Sequence, residues 1–266
     1  MTIDVVDPAR LERAATPSVT FQADEASATR TPWVTSNGWR FLRQPEGHFY
    51  YEAAGSAAPL AAAEAFMYGV NAVIHTDNSG LGKLGQMLLF LQRLGGENLT
   101  PLVNIGFIDD GSPQSGEFMN LLVRRNLLFE VVKDSNAHST SNLDVTVVLG
   151  TPDYPRSEAS NPSLLAEKVR SHLTDEKRLL RIYGTEVVVG RLLGEVTTAR
   201  LYLINYEAAR GPVEGVRVRV SGVYPRQTVL APDTATSRLL DVTAAAGATE
   251  FTLPEVKIFE VINLSH

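Results

Sequence analysis

The chain has 266 residues, 44% hydrophobic and 20% charged, a balance that builds a packed core and excludes a disordered chain. A net charge of −6 and the lack of any Lys/Arg run exclude an electrostatic nucleic-acid binder. There is no cysteine, so disulfides, thiolate zinc sites and thiol nucleophiles are excluded together.

No stretch approaches the ~20 consecutive apolar residues of a membrane span, so no membrane partner is expected. The opening MTIDVVDPARLERAATP lacks a basic start followed by an apolar core. That is no signal peptide, and it leans toward the cytoplasm without fixing a compartment. Residues 1–57 carry few regular signals but hold both tryptophans, Trp33 and Trp39, and the run Phe49-Tyr50-Tyr51. Val19-Thr20-Phe21-Gln22-Ala23 reads as a short strand, and the rest as an aromatic-rich arm that must pack on something.

From Pro59 the pattern becomes regular. An alanine-rich helix runs from Leu60 to Tyr68, with Pro59 suited to its first turn and Gly69 to its end. Ala72 to Thr76 reads as a buried strand. Leu81, Leu84, Leu88 and Leu91, with Met87 and Leu94, follow at helical spacing, and Gly95-Gly96 stops that helix. Leu102 to Ile108 is a strand. Ser112-Pro113 opens a helix to about Arg125. Strands follow at Leu128 to Val132 and Leu143 to Leu149, then a helix from Pro162 to about Leu173 and a strand from Arg178 to Tyr183. Strands alternating with helices predict a mainly parallel sheet covered on both faces over residues 58–184.

Beyond Gly184 the helices cease. Short strands are expected at Glu186–Leu193, Thr197–Tyr206, Val213–Val220, Gln227–Leu230, Ser237–Val242, Glu250–Leu253 and Lys257–Ile262. In the third of these, Val216, Val218 and Val220 alternate with Arg217, Arg219 and Ser221, the mark of a half-buried strand. Residues 185–266 therefore read as a small all-β sandwich.

Several constellations invite chemistry. Trp33, Trp39, Tyr50 and Tyr51, with Arg40 and Arg43, have the composition of a sugar platform, because aromatic faces stack on pyranose rings and guanidinium groups hold hydroxyls or carboxylates. The competing account is an arm packed over a sheet edge. Gly80-Leu81-Gly82-Lys83-Leu84-Gly85 matches G-x-G-x-x-G between a strand and a helix, with Asp109 at the end of the next strand, the layout of a dinucleotide loop. Asp77-Asn78-Ser79 intervene, however, and Asp77 would repel phosphate, so no cofactor is expected. Asp109-Asp110-Gly111 is explained by turn formation as well as by a metal, and no metal is assigned. His48, His75, His138, His172 and His266 show no ligand spacing, and His75, in an apolar strand, reads as a satisfied core residue.

The segments Ser36-Asn37-Gly38-Trp39 through Tyr51 and Ala61 to Val73 resemble the closing strand-and-helix part of a glycoside hydrolase barrel. The comparison is with the β-galactosidases of glycoside hydrolase family forty-two. Phe129-Glu130-Val131-Val132 and Leu143 to Gly150 resemble the flavodoxin-type domain that follows the barrel there. Leu201 to Tyr206 and Phe251 to Pro254 are similar to the β-domain that closes such hydrolases. The resemblance implies a flavodoxin-like α/β domain followed by a β-sandwich, a carbohydrate as the candidate partner and a homo-oligomer. It also makes Glu25, beside Asp24, the counterpart of the family's later catalytic carboxylate, with Trp33 beyond it as a wall of the sugar site. A retaining glycosidase needs two carboxylates ~5 Å apart, and no acid/base in matching context is present. The expected function is that of a glycoside-hydrolase-like protein without a complete barrel, binding a glycan or acting in assembly. The alternatives are a nucleotide-binding enzyme built on Gly80, Gly82, Gly85 and Asp109, and a non-catalytic interaction protein.

Overall fold

A computed structural model of the protein describes residues 10–21, 32–94, 99–132, 143–158, 162–195, 197–233 and 238–266. The chain is mixed α/β, with parallel and antiparallel sheets in separate layers. Among the described residues no helix is long and apolar enough to cross a membrane.

The first parallel sheet has the order β1-β4-β5, from β1 (Glu12–Ala14), β4 (His48–Glu52) and β5 (Asn71–His75). Part of the segment expected to be an irregular arm is thus built into a sheet. Its period-2 pattern explains this: Phe49 and Tyr51 are buried while His48 and Glu52 are exposed. Between β1 and β4 lie a hairpin of β2 (Ser18–Phe21) with β3 (Pro32–Thr35) and a short helix, α1 (Gly38–Arg43). Helix α2 (Ala57–Tyr68) joins β4 to β5 and is buried nearly all round, as a helix apolar on every side must be. Gly69 closes it at φ 70°, a left-handed conformation that suits glycine. Helix α3 (Asn78–Leu94) is amphipathic, burying Leu84, Met87, Phe90, Leu91 and Leu94 while Leu81 and Leu89 stay exposed.

The next strand does not extend that sheet. β6 (Ile105–Ile108) lies between β7 (Phe129–Val132) and β8 (Val145–Val148) in a second parallel sheet of order β7-β6-β8. Both edges of β6 are taken, which leaves β5 no place beside it. Helix α4 (Pro113–Arg124) begins as its sequence predicts: Ser112 accepts the Ser115 N–H at 3.2 Å, with proline at the first helical position. Helix α5 (Pro162–Lys177) follows β8, and its helical course breaks at Thr174, where φ is 56°.

The strand read at Arg178–Tyr183 is β9 (Leu180–Tyr183). It joins the antiparallel layer, pairing with β12 (Val213–Ser221) from Arg217↔Tyr183 to Val220↔Leu180. That sheet has the order β14-β15-β12-β9, with β14 (Leu240–Ala245) and β15 (Ala248–Val256). A second antiparallel sheet, β10-β11-β16-β13, is formed by β10 (Val188–Gly194), β11 (Thr198–Asn205), β13 (Arg226–Leu230) and β16 (Phe259–Ser265). The two share a core in which Val216, Val218 and Val220 meet Leu201, Leu203 and Ile262. Each such valine, fully buried, contributes about 1.5–3 kcal/mol.

The other face of β10-β11-β16-β13 packs on the helices. Phe259 stacks on Tyr202 at 5.6 Å between centroids and meets Phe66 of α2 and Phe90 of α3 edge-on. This sheet is therefore buried on both sides and joins the α/β elements to the sandwich.

Candidate functional site

Parallel strands put paired residues on the same face. The rows Phe49↔Ala72 and Tyr51↔Ile74 of β4 and β5 face the interior with Ala14. The alternate rows, His48↔Asn71, Tyr50↔Val73 and Glu52↔His75, with Arg13 beside Tyr50, form the opposite face. Among the described residues that face is open: Val73 is 38% exposed, and Glu52 and His75 show 52% and 65% of their side chains. Parallel sheets are ordinarily covered on both faces, and among the described residues nothing covers this one.

The polar groups gather where β4 and β5 end. Glu52 Oε1 lies 2.7 Å from His75 Nδ1, and Tyr50 donates its hydroxyl to Glu52 Oε2 at 3.0 Å. The bonds from His75 and then Tyr50 hold the Glu52 carboxyl below the usual glutamate range, and the same Glu52 contact pushes the Tyr50 phenol up. The His75 Nδ1–H donates to Glu52 when that nitrogen carries the proton, which fixes the ring against the carboxylate. Ligand sites in parallel α/β folds lie at the carboxyl ends of strands, which is where this cluster stands. His75 is thus a surface residue, contrary to the expectation of a core histidine, because its pleat face is the uncovered one. Nothing in the sequence linked it to Glu52, since the two meet only through strand pairing.

The residues named from sequence scatter over several environments. Asp24 and Glu25 lie outside the described residues, as does His138. Tyr50 is on the open face. Tyr51, its neighbour, points the other way and donates to the buried Glu64 at 2.8 Å. Trp39 and Arg43 stay together: the guanidinium sits 5.2 Å from the ring centroid and forms an ion pair with Asp109, Nε to Oδ2, at 2.7 Å. The other side of Trp39 is closed by α4, where a Cβ on Gly116 would come within 2.7 Å of the indole. Arg40 also lies 5.2 Å from Trp39 and pairs with Glu12 at 3.1 Å. Trp33 carries the Arg124 guanidinium 3.7 Å from its centroid. Both indoles are thus already engaged by the protein's own cations.

Glu64 is fully buried and accepts from Ser36 Oγ, the Asn37 N–H and Nδ2, and the hydroxyls of Tyr51 and Tyr206, at 2.6–3.2 Å. Burial pushes its carboxyl above the usual glutamate range, while the bonds from Tyr206 and Asn37 pull it back. It ties the segment before α1, strand β4 and the end of β11 into one knot.

At the glycine loop, Asp77 Oδ1 accepts from Gly80 N at 2.9 Å, Ser79 Oγ at 2.8 Å and Gly55 N at 3.1 Å. A carboxylate therefore occupies the N-terminus of α3, the place a dinucleotide phosphate would need. Asp110 is held by Ser112, Ser115 and Arg156. Among the described residues no group of three or more His, Asp or Glu side chains is placed to hold a metal ion.

No family model matches the chain, and no curated protein matches it in sequence. Among solved structures it is similar to the alpha-L-fucosidase isoenzyme 2 from Paenibacillus thiaminolyticus, with a TM-score of 0.63 and 10% identity over 83% of this chain and 60% of that one. A noncanonic maltogenic alpha-amylase from Thermotoga neapolitana matches with a TM-score of 0.22 and 10% identity over 82% of this chain and 51% of that one, too low a score to bear on the fold. The chain spans 60% of the fucosidase's length, and what the likeness shows is a glycoside-hydrolase-like fold.

Proposed function

We propose that the protein is a carbohydrate-binding member of the glycoside-hydrolase architecture, with its ligand on the open face of the β1-β4-β5 sheet. The observation that carries this is the hydrogen-bonded Tyr50–Glu52–His75 cluster at the carboxyl edge of that face. Tyr50 offers a ring to stack on a pyranose, and Glu52 and His75 offer acceptors and a donor for vicinal hydroxyls. Fold likeness supports the carbohydrate class but does not choose the sugar, since one architecture hosts many chemistries. A fucoside or galactoside is the first to try, given the fucosidase likeness and the resemblance to family forty-two.

Saturation-transfer NMR with L-fucose, D-galactose and D-glucose tests it. One sugar is expected to bind, with affinity falling about tenfold or more in Glu52→Gln and His75→Ala, a loss of ~1.4 kcal/mol per decade. Both residues are exposed, so the variants keep the fold. Silence across the panel overturns the reading. Hydrolysis of aryl α-L-fucosides and β-D-galactosides tests the proposed role of Glu25: activity abolished in Glu25→Gln supports a nucleophile, and activity untouched by that change removes it.

A second reading is assembly. The same uncovered parallel face, with the exposed Val73 on its edge strand β5, would be closed by another copy of the chain. Light scattering that gives a monomer at high concentration would exclude it.

A further inference from the structure

Away from the open face, a cleft of about 250 Å³ is lined by five arginines: Arg124 and Arg125 from the end of α4, Arg170 from α5, and Arg178 and Arg181 around the start of β9. Two carboxylates face this charge. Glu186 lies in the lining, and Asp175 pairs with Arg181 at 3.1 Å and more loosely with Arg178 at 3.8 Å. The C-terminus of α4 supplies roughly half a negative charge more. A clear positive excess remains among the described residues.

Three of its arginines are held in place by the protein. The Arg178 side chain is 10% exposed and that of Arg181 23%. Arg124 is stacked on Trp33 and donates to the Pro32 carbonyl at 3.2 Å. Arg178 donates to the Arg125 carbonyl at 3.1 Å, and Arg181 lies over Tyr183 at 4.9 Å. These contacts fix the planes of the guanidinium groups. The Nε atoms of Arg124, Arg178 and Arg181 are nonetheless buried without a hydrogen-bond partner among the described residues. Burying cationic groups costs free energy, and an anion in the adjacent cleft would offset part of it through its charge. The same crowding shows in the acid–base behaviour. Burial first, and Arg125 second, push the Arg124 guanidinium down to about 10, and Arg178 is lowered by burial and by Arg170.

We infer that this cleft is a binding site for a tetrahedral oxyanion, the phosphate or sulfate group of a small ester. Planar guanidinium forks match two oxygens of such a group at once, which an ammonium cannot do. Several guanidinium groups lining one cavity can share three anionic oxygens among them, and the Thr185 hydroxyl in the lining adds a neutral donor. The cavity is larger than a bare anion and leaves room for the alcohol portion of the ester. This inference is independent of the carbohydrate reading, since it shares no residue with the open face.

The test is isothermal titration of the full chain with inorganic phosphate, inorganic sulfate and sodium chloride at matched ionic strength. Phosphate or sulfate is expected to bind one to one, with chloride giving no saturable heat. The exposed pair Arg125→Gln/Arg170→Gln is expected to weaken that binding at least about tenfold. Arg181→Lys, which keeps the charge and removes the fork, should weaken it several-fold. Glucose 6-phosphate and glucose 6-sulfate then separate the two esters, the one that binds more tightly than its inorganic ion naming the source. Chloride matching phosphate, or unchanged affinity in both variants, would mean simple charge screening and would overturn the assignment.

Discussion

Replacing Glu64 by alanine is expected to destabilise the protein by about 3–5 kcal/mol, the scale of a buried cavity together with several stranded donors. The carboxylate collects donors from Ser36, Asn37, Tyr51 and Tyr206, all in the interior. Its removal strands those donors together in a space too apolar to solvate them, and it opens a cavity in α2. The size of the effect lies in the donors and not in the charge, and variants separate the two. Glu64→Gln keeps the volume but turns an acceptor into a donor, which opposes either Asn37 Nδ2 or the Tyr51 hydroxyl. It should cost about 1–3 kcal/mol. Tyr206→Phe removes one donor and should cost about 1–2 kcal/mol. Combining Tyr206→Phe with Glu64→Ala should cost less than the sum of the two, because the alanine change has already left the Tyr206 hydroxyl without its carboxylate acceptor. Urea denaturation of the four proteins checks this, and strict additivity would mean that Tyr206 and Glu64 do not act as one network.

That knot marks where sequence reading succeeds and where it stops. Helices α3 and α4 and strands β5, β6 and β12 were legible because each is set by a local period: Leu84, Met87 and Leu91 for a helix face, Val216, Val218 and Val220 for a strand face. The start of α4 was legible because Ser112 and Pro113 act within one turn. Strand β4 is as periodic as β12, but Phe49-Tyr50-Tyr51 presents aromatic residues on both faces and hides its alternation. The destination of β9 was not legible, since Leu180 and Ile182 suit either kind of sheet and only the pairing with β12 decides. Contacts across long separations were hidden for the same reason. Arg43 reaches Asp109 across 66 residues, and Tyr206 reaches Glu64 across 142. One signal lies in the sequence itself: a single glutamate inside the run Ala61-Ala62-Ala63-Glu64-Ala65 must either break the helix's burial or be fully satisfied. The arginine cleft had a weaker one, the pair Arg124-Arg125 at a helix end, whose partners at 170, 178 and 181 converge only in three dimensions.

A second buried carboxylate, Glu260, is expected to make stability fall as pH rises. It sits in β16 with 1% of its surface exposed, and its Oε2 has no hydrogen-bond partner among the described residues. Burial, and after it the nearby charge of Asp233, push its carboxyl up to about 8. Lys257 is the natural counter-ion, but its ammonium is already bonded to Asp233 and lies 3.1 Å from Glu255. The folded state therefore holds a proton that an unfolded glutamate gives up near pH 4.3. Since the folded form binds the proton more tightly, its contribution is complete below about pH 4 and is lost as pH climbs through about 8. Glu260→Gln is neutral at every pH and supplies the same volume, so it should exceed the native protein by only about 1 kcal/mol near pH 5 and by clearly more near pH 9. The gap should widen by on the order of 2–4 kcal/mol between those two pH values. Glu64 is also raised and slopes in the same direction, but it is present in both proteins and cancels in the difference. Urea unfolding at pH 5 and pH 9 measures the gap. A difference that stays constant with pH would mean that Glu260 is ionised in the fold and that Lys257 serves it in spite of its other partners.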